Sequence, residues 1–324
     1  MAVPGEAVIT AWHDGHVDGA AVAAGARALA QHNVVGMPTE TVYGLAASAT
    51  DQVAVGRVFA IKGRPADHPV IVHVGGADAL DTWGRDVPGY ARDLAVALWP
   101  GPLTLVVPAA DRVPRFVTGG QDTVGLRCPA HPVALALIDR AGPVAAPSAN
   151  RFGQVSPTSA SDVVADIGHL LGPEDVVLDG GPCPVGVEST ILDCTGEQPR
   201  LLRWGAVEPA QIHEAAGVPV DAGTSTVRAP GGLASHYAPR AKVRLGDDPG
   251  PGDGFLALAA VPTPDGAVRL ASPASTRDYA AVLYRALRDA DALGLGRLCA
   301  LAPDDGTALG TAIRDRLSRA AGAG

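Results

Sequence analysis

The chain is 324 residues long, 47% hydrophobic and 18% charged, with a formal net charge of −9. That length is ample for a packed core and fits one large domain followed by a small one. The acidic balance argues against non-specific nucleic-acid binding, which depends on cations set against phosphates, and no run reaches the roughly 18 apolar residues of a membrane span.

In chain order, Val17 to Gln31 is alanine-rich and predicts a helix, and Asn33 to Pro38 a short strand leading into Thr39-Glu40-Thr41. Asp51 is placed to cap a helix whose Val55, Val58, Phe59 and Lys62 fall at i, i+3, i+4 and i+7. Val70 to Val74 is a continuous apolar strand carrying His73. Tyr90 to Leu98 predicts a helix stopped by Trp99-Pro100-Gly101-Pro102. Leu103 to Val107 and Thr123 to Arg127 read as strands. Pro132 to Arg140 is a helix, and Val144 to Ala146 a strand running into Pro147-Ser148-Ala149-Asn150. A helix over Ala160 to Leu171 follows, then strands at Val176–Leu178, Ser189–Asp193 and Leu201–Trp204 and a helix over Glu208 to Ala216. Residues 217–239 are rich in Gly, Pro, Ser and Thr and lack periodicity, a stretch long enough to be functional in its own right. From Lys242 onward, alternating strands and helices predict a small open α/β domain.

Among the 25 Lys and Arg residues, only Lys62 and Lys242 are lysine. Lys62 two residues before Arg64 therefore pairs a mobile point charge with a planar fork, a combination suited to a polyanion. Polar residues recur at strand ends: Thr41, Thr123, Arg127, Ser148, Asn150, Ser156, Ser189 and Arg203. Open α/β sheets bind ligands outside the carboxyl ends of their strands, so these side chains are expected to converge on one pocket. Each alone also reads as a cap or turn residue, and His73 on an apolar strand reads equally as a core residue. The sequence has no GxxxxGK[ST] run, no GxGxxG after a first strand and no nucleophile elbow. Cys128, Cys183, Cys194 and Cys299 lack metal-ligand spacing and read as buried thiols of a reducing cytoplasm. No basic-then-apolar leader pattern opens the chain, so cytoplasmic residence is expected. The residues alone point to a pocket for a phosphate-bearing ligand and a small carboxylate.

Pro38-Thr39-Glu40-Thr41-Val42-Tyr43-Gly44-Leu45, Lys62-Gly63-Arg64-Pro65, Trp99-Pro100-Gly101-Pro102-Leu103-Thr104, Pro147-Ser148-Ala149-Asn150 and Gly186-Val187-Glu188-Ser189-Thr190 together resemble the YrdC-like family. Lys62/Arg64 and Ser148/Asn150 look like its K-x-R and S-x-N signatures. Ala229-Pro230-Gly231 and His236-Tyr237-Ala238-Pro239, followed by an α/β domain, resemble its longer two-domain form. The resemblance implies an open twisted mixed sheet with flanking helices forming a concave site, plus a small Rossmann-like C-terminal domain. The expected boundaries are a catalytic domain over 1–216, a linker or lid over 217–240 and the small domain over 241–324.

It also implies threonylcarbamoyl-AMP synthase activity. L-threonine, bicarbonate or CO₂, and ATP would give threonylcarbamoyladenylate and pyrophosphate, with Mg²⁺ as the counter-ion of ATP and no metal site of the protein's own. Separate tRNA threonylcarbamoyltransferase proteins would use the product. By motif match, Arg127 would hold the threonine carboxylate, with Thr41, His73, Ala146 and Ser189 around it. Arg64, His68, Thr123, Ser148, Asn150, Ser156 and Arg203 would hold the nucleotide, Lys62 would stabilise phosphate charge with Arg64, and Tyr237 would fold over the nucleotide as a lid. At position 68 the family usually has Asn. His68 is bulkier and titratable, which leads to an expected loss of activity below about pH 6.5. A related carbamoyl-adenylate-forming enzyme with another amino acid or carbamoyl donor, or an RNA-binding module, are the alternatives.

Overall fold

The computed structural model of the protein describes residues 8–221, 225–231, 237–246 and 248–322. The large sheet is made of β1 (Val8–Thr10), β4 (Val35–Met37), β5 (Gly44–Ser48), β6 (Val72–His73), β7 (Leu103–Pro108), β8 (Thr123–Arg127), β9 (Val144–Ala145), β10 (Val176–Asp179), β11 (Thr190–Asp193) and β12 (Arg200–Arg203), while β2 (Trp12–His13) and β3 (His16–Val17) form a separate hairpin. Its order is β1-β10-β4-β5-β9-β6-β8-β7-β11-β12. Parallel and antiparallel pairings mix, and the central strand β6 runs parallel to β8 and antiparallel to β9.

The helices are α1 (Gly19–Ala30), α2 (Gln52–Lys62), α3 (Ala79–Trp83), α4 (Gly89–Leu98), α5 (Arg115–Thr118), α6 (Pro132–Ala141), α7 (Ala160–Ile167) and α8 (Pro209–Ala216). Two apolar layers result: α1 and α6 supply Leu29, Leu137 and Ile138 to one, and α2, α4, α7 and α8 supply Val58, Leu94, Val163 and Ile212 to the other. A smaller patch, Ile71, Val106 and Ile191 on β7, β11 and the approach to β6, is covered instead by Val227 and Ala229 of the inter-domain segment. This segment is therefore a strap lying on the sheet.

The strap is held by a Gln121–Arg228 exchange, with Arg228 N donating to Gln121 Oε1 at 2.8 Å and Gln121 Nε2 to Arg228 O at 3.1 Å. Ser225 Oγ adds a bond to Asp193 Oδ2 at 2.6 Å. Ser235 and His236, part of the expected lid, lie outside the described residues.

The C-terminal unit is an all-parallel sheet ordered β13-β16-β14-β15, from β13 (Lys242–Leu245), β14 (Gly254–Leu256), β15 (Val268–Ala271) and β16 (Arg297–Ala300). Its helices are α9 (Thr276–Ala292) and α10 (Ala308–Ala321). Its core is continuous with the large domain: Val42, Val155, Val187 and Tyr237 belong to the same apolar cluster as Leu283, Leu287 and Leu317.

Several expected elements shift. The Val70–Val74 strand shortens to Val72–His73, and its flanks keep backbone bonds outside the ladder, Val70 N to Val117 O and Val74 N to Arg127 O. The predicted helix from Ala160 ends at Ile167 and continues as a 3₁₀ turn at Gly168–Leu170. Neither β5 nor β15 was anticipated from the sequence. Gly44-Leu45-Ala46-Ala47-Ser48 has no β-branched residue, and its place in the sheet comes from tertiary pairing.

α2 is aimed by two caps. Asp51 accepts from Val53 N and Ala54 N, and Gly63 closes the other end in the left-handed region (φ 63°), a conformation cheap only for glycine. Arg57 of α2 also forks onto Asp175 at 2.7 and 3.0 Å, and the same fully buried carboxylate accepts Val34 N and Gly172 N. Asp175→Ala is expected to cost about 3–5 kcal/mol, since it orphans a partly buried guanidinium and two amides. The check is a lowered urea midpoint at unchanged slope; an unmoved midpoint would show that water replaces the carboxylate.

Candidate active site

The segment 39–45 and the loop 147–150 are zipped together by Leu45 N→Pro147 O at 2.7 Å and Ala149 N→Tyr43 O at 2.9 Å. Thr39 pins the intervening turn, taking Thr41 N and Val42 N on its hydroxyl and donating to Val42 O. A cleft of about 630 Å³ opens between these two loops, the β6 and β8 ends and the strap. Of the residues singled out from the sequence, Thr41, Arg64, His73, Arg127, Ala146, Ser148, Ser189, Arg203 and Tyr237 line it. A second cleft of about 920 Å³ adjoins it, with His68, Phe152 and Leu202 on its walls, and shares Arg64, Pro230 and Gly231 with the first.

Four expected residues are absent from the walls of both clefts. Lys62 is almost wholly buried, and its Nζ donates to Ser148 O at 2.5 Å and Asn150 O at 2.6 Å. Burial, reinforced by Arg64, holds its pKa well below the usual lysine value. Asn150 Nδ2 is spent on Arg151 O and Gln154 O, and Ser156 Oγ donates to Glu188 Oε1 at 2.7 Å. Thr123 lies at the start of β8, facing a small recess under Arg228–Pro230. Lys62 Nζ, Asn150 Nδ2 and Ser156 Oγ therefore brace the loops of the cleft from behind its wall, while Asn150 Oδ1 is buried without a hydrogen-bond partner.

Tyr237 also differs from the lid expected. It is 1% exposed, sits at φ 63° and stacks on Tyr284 of α9 with centroids 5.6 Å apart, so it forms a fixed wall. Gly231 faces it in the left-handed region, where an added Cβ would come 2.9 Å from the tyrosine hydroxyl.

Arg127 is 4% exposed; Nε donates to Gly101 O at 3.3 Å, and Nη2 lies 2.8 Å from Glu40 Oε1 but off hydrogen-bond alignment. Glu40 holds that cation from behind. Neither Glu40 nor Glu188 stood out in the sequence, although both sit inside the quoted motifs. Arg203 is fixed by Nε→Ser189 O and Nη2→Ser189 Oγ, each 3.0 Å, and Nη1→Pro230 O at 3.1 Å. Arg64 donates to Pro69 O at 2.8 Å with its guanidinium over Phe152, and His68 packs edge-on against the same ring. Burial lowers the Arg64 pKa to about 10. His73 is driven down to about 3 by burial and then by Arg127, so its ring is neutral, with Nδ1 buried and unpartnered. The first cleft is thus a pocket of fixed cations, hydroxyls and one neutral imidazole, suited to a small carboxylate. The second offers a guanidinium and an aromatic face at its mouth.

Residues 27–205 match the Sua5, YciO and YrdC family model, described as telomere recombination, and residues 207–322 match the model described as the threonylcarbamoyl-AMP synthase C-terminal domain. A threonylcarbamoyl-AMP synthase of Bacillus subtilis is 38% identical over 326 aligned positions, covering 93% of each chain. A Pyrococcus abyssi protein of the same name is 46% identical over 223 residues, 67% of this chain and 65% of that one, so the aligned stretch spans a little under two thirds of that relative. The crystal structure of P. abyssi Sua5 complexed with L-threonine superposes with a TM-score of 0.87 at 34% identity, covering 98% of both chains.

The neutral His73 carries a stability consequence. Between its ordinary value of about 6.5 and its folded value of about 3, the unfolded chain takes up a proton that the folded chain refuses. Its contribution to stability is fully present above about pH 6.5 and is lost as pH falls through that window. His73→Gln should flatten the fall of the urea midpoint between about pH 6.5 and 4.5. An unchanged slope would mean that His73 is protonated in the folded protein.

Proposed function

This chain belongs to the Sua5, YciO and YrdC family, and we propose on that premise that it is a threonylcarbamoyl-AMP synthase, joining L-threonine, bicarbonate and ATP into threonylcarbamoyladenylate with release of pyrophosphate and water. The observation that carries the reading is the pair of clefts meeting at Arg64. One is built for a small carboxylate, the other has room for a nucleotide, and the shared residue stands where a phosphate would join them. The threonine-bound relative of the same fold supports the first assignment.

In this reading Arg127 takes the threonine carboxylate, with Glu40 fixing its fork. Thr41, Ser189 and the Ala146 backbone orient the rest of the amino acid. Neutral His73 accepts a hydrogen bond at Nδ1, which a protonated ring would not do. The deprotonated threonine amine attacks the carbon of CO₂ derived from bicarbonate and loses its proton. A carbamate oxygen then attacks the α-phosphorus of ATP, and pyrophosphate leaves in line with it. The protein's share is positioning and charge neutralisation. Arg64, Arg203 and Ser148 face the phosphates, and His68 and Phe152 flank the nucleotide. Lys62, Asn150 and Ser156 act through the loops they brace.

Mg²⁺ enters as the counter-ion of ATP. The four cysteines are free and buried, which suits a reducing cytoplasm. Separate tRNA-modifying proteins consume the adenylate.

Pyrophosphate release from ATP and bicarbonate is expected to require L-threonine and to discriminate against serine. Arg127→Ala should raise the threonine KM on the order of 10–100-fold, the worth of hydrogen bonds to a charged group. Release indifferent to threonine would sink the reading in favour of another amino acid, and no release at all would leave the family fold without this activity.

His68 titrates below the ordinary 6.5, because partial burial and then Arg64 disfavour its charged form. The acid loss of activity is therefore expected at lower pH than the sequence alone implied. His68→Asn should remove that limb from the pH–rate profile; an identical profile would show that His68 protonation is immaterial.

A further inference from the structure

One side chain of the C-terminal unit reaches the back of the first cleft. Arg316 of α10 is 1% exposed, and its Nε donates to Glu188 Oε2 at 3.0 Å. Tyr284 of α9 donates to the same carboxylate, 2.9 and 3.1 Å from its two oxygens, and Ser156 Oγ completes the grip. Glu188 lines the cleft and directly precedes Ser189, on which Arg203 is fixed through two bonds. The Arg316 guanidinium also lies over the Tyr237 ring, 5.6 Å from its centroid.

Three pieces of the wall thus lean on one cation from the second unit: the Glu188–Ser189 pair, Arg203 and Tyr237. Tyr237 needs such support, since a bulky residue at φ 63° is strained unless its surroundings hold it there.

Resting on the reading above, we propose that Arg316 is a positioning residue for adenylate formation: through Glu188 it sets Ser189 and Arg203, and through its planar face it sets Tyr237, so the C-terminal domain completes the active site. Docking alone does not require it. Arg288 of α9 forks onto Asp166 at 2.7 and 2.7 Å and caps Val155 O, Glu208 accepts Ala308 N at the start of α10, and a shared apolar core spans the boundary. A buried ion pair is also a weak source of net stability against an apolar replacement. Its value here is the geometry it enforces.

The pair makes a distinctive prediction. The groups facing Glu188 are Arg316 with its neighbour Asp315, Tyr284, Tyr237, Ser156 and Arg203. Burial pushes the carboxyl up, and Arg316 and then Arg203 overrule it, holding it at about 2. Without Arg316 the ionised carboxylate keeps Tyr284 and Ser156, but Arg203 is its one remaining cationic neighbour among the described residues, and the carboxylate pulls it off Ser189. Raising the proton concentration neutralises Glu188 and releases Arg203.

The test uses the full-length chain. Arg316→Met should lower kcat/KM for ATP on the order of tenfold or more at neutral pH, with partial recovery toward about pH 5.5. Arg316→Met combined with Glu188→Gln should recover most of the loss and show no such pH dependence. Arg316→Lys, which keeps the charge but not the planar face, should fall between.

A twofold or smaller effect of Arg316→Met, or a double variant no better than the single one at every pH, overturns the proposal. Should Arg316→Met fail to fold, the double variant decides: near wild-type kcat/KM supports the relay and a tenfold loss overturns it. If the wild type releases no pyrophosphate with threonine, the family reading fails separately. ATP affinity by calorimetry then decides for Arg316, with tenfold weakening in Arg316→Met in favour and unchanged affinity against.

Discussion

Lys62, Arg127 and Arg203 are buried around one region with Arg64 partly buried beside them, and each has to be compensated before any ligand arrives. Arg203 and Lys62 use backbone carbonyls, which neutralise them partly and fix them rigidly. Arg127 has Glu40 behind it, and Arg64 has a carbonyl and an aromatic face. The compensation is incomplete at two buried atoms, Arg64 Nε and Arg127 Nη2. A buried donor without an aligned acceptor is costly in the empty protein and favourable as soon as an anionic ligand supplies one. This is preorganisation in the electrostatic sense: the reorganisation cost is met in folding and does not recur at the reaction.

The sheet makes that arrangement possible. β6, β8 and β9 are short and deliver His73, Arg127 and Ala145–Ala146 side by side, with His73 in register with Arg127. The zipped loops 39–45 and 147–150 then bring hydroxyls over these strand ends. The buried termini of α2 and the 147–150 loop share Lys62, so the end of one helix sets the position of Ser148. That is a positioning task, and it explains why the lysine belongs at the last turn of α2 rather than on the cleft wall.

Much of this was legible in the chain. Asp51 as a cap, the Lys62–Arg64 spacing, hydroxyls after apolar runs and the composition break after residue 216 are local signals with local causes. What was not legible is non-local. Glu40 is neutralised by a residue 87 positions away and Glu188 by one 128 positions away, and no spacing rule connects them. The direction of a side chain is equally hidden. Asn150 and Ser156 sit in the right loops, yet their polar atoms face backbone and carboxylate behind the wall. The strand β5 escaped notice because its Ala-rich sequence has no intrinsic preference for extension, and only pairing with β4 and β9 imposes it.

The strap connects these themes. A carbamate is short-lived in water, so a site that makes one has to exclude solvent while substrates are in place. Residues 225–231 cover the sheet face with Val227 and Ala229, while Pro230 and Gly231 form the rim common to both clefts. Their attachments differ in kind. The Gln121–Arg228 exchange is solvent-exposed and worth little, whereas the Arg203–Pro230 bond is backed by the Ser189–Glu188–Arg316 chain. The strap is therefore held at both ends, by Ser225 on Asp193 and by Pro230 on Arg203, with the exposed exchange between them, so the rim common to both clefts is fixed from either side.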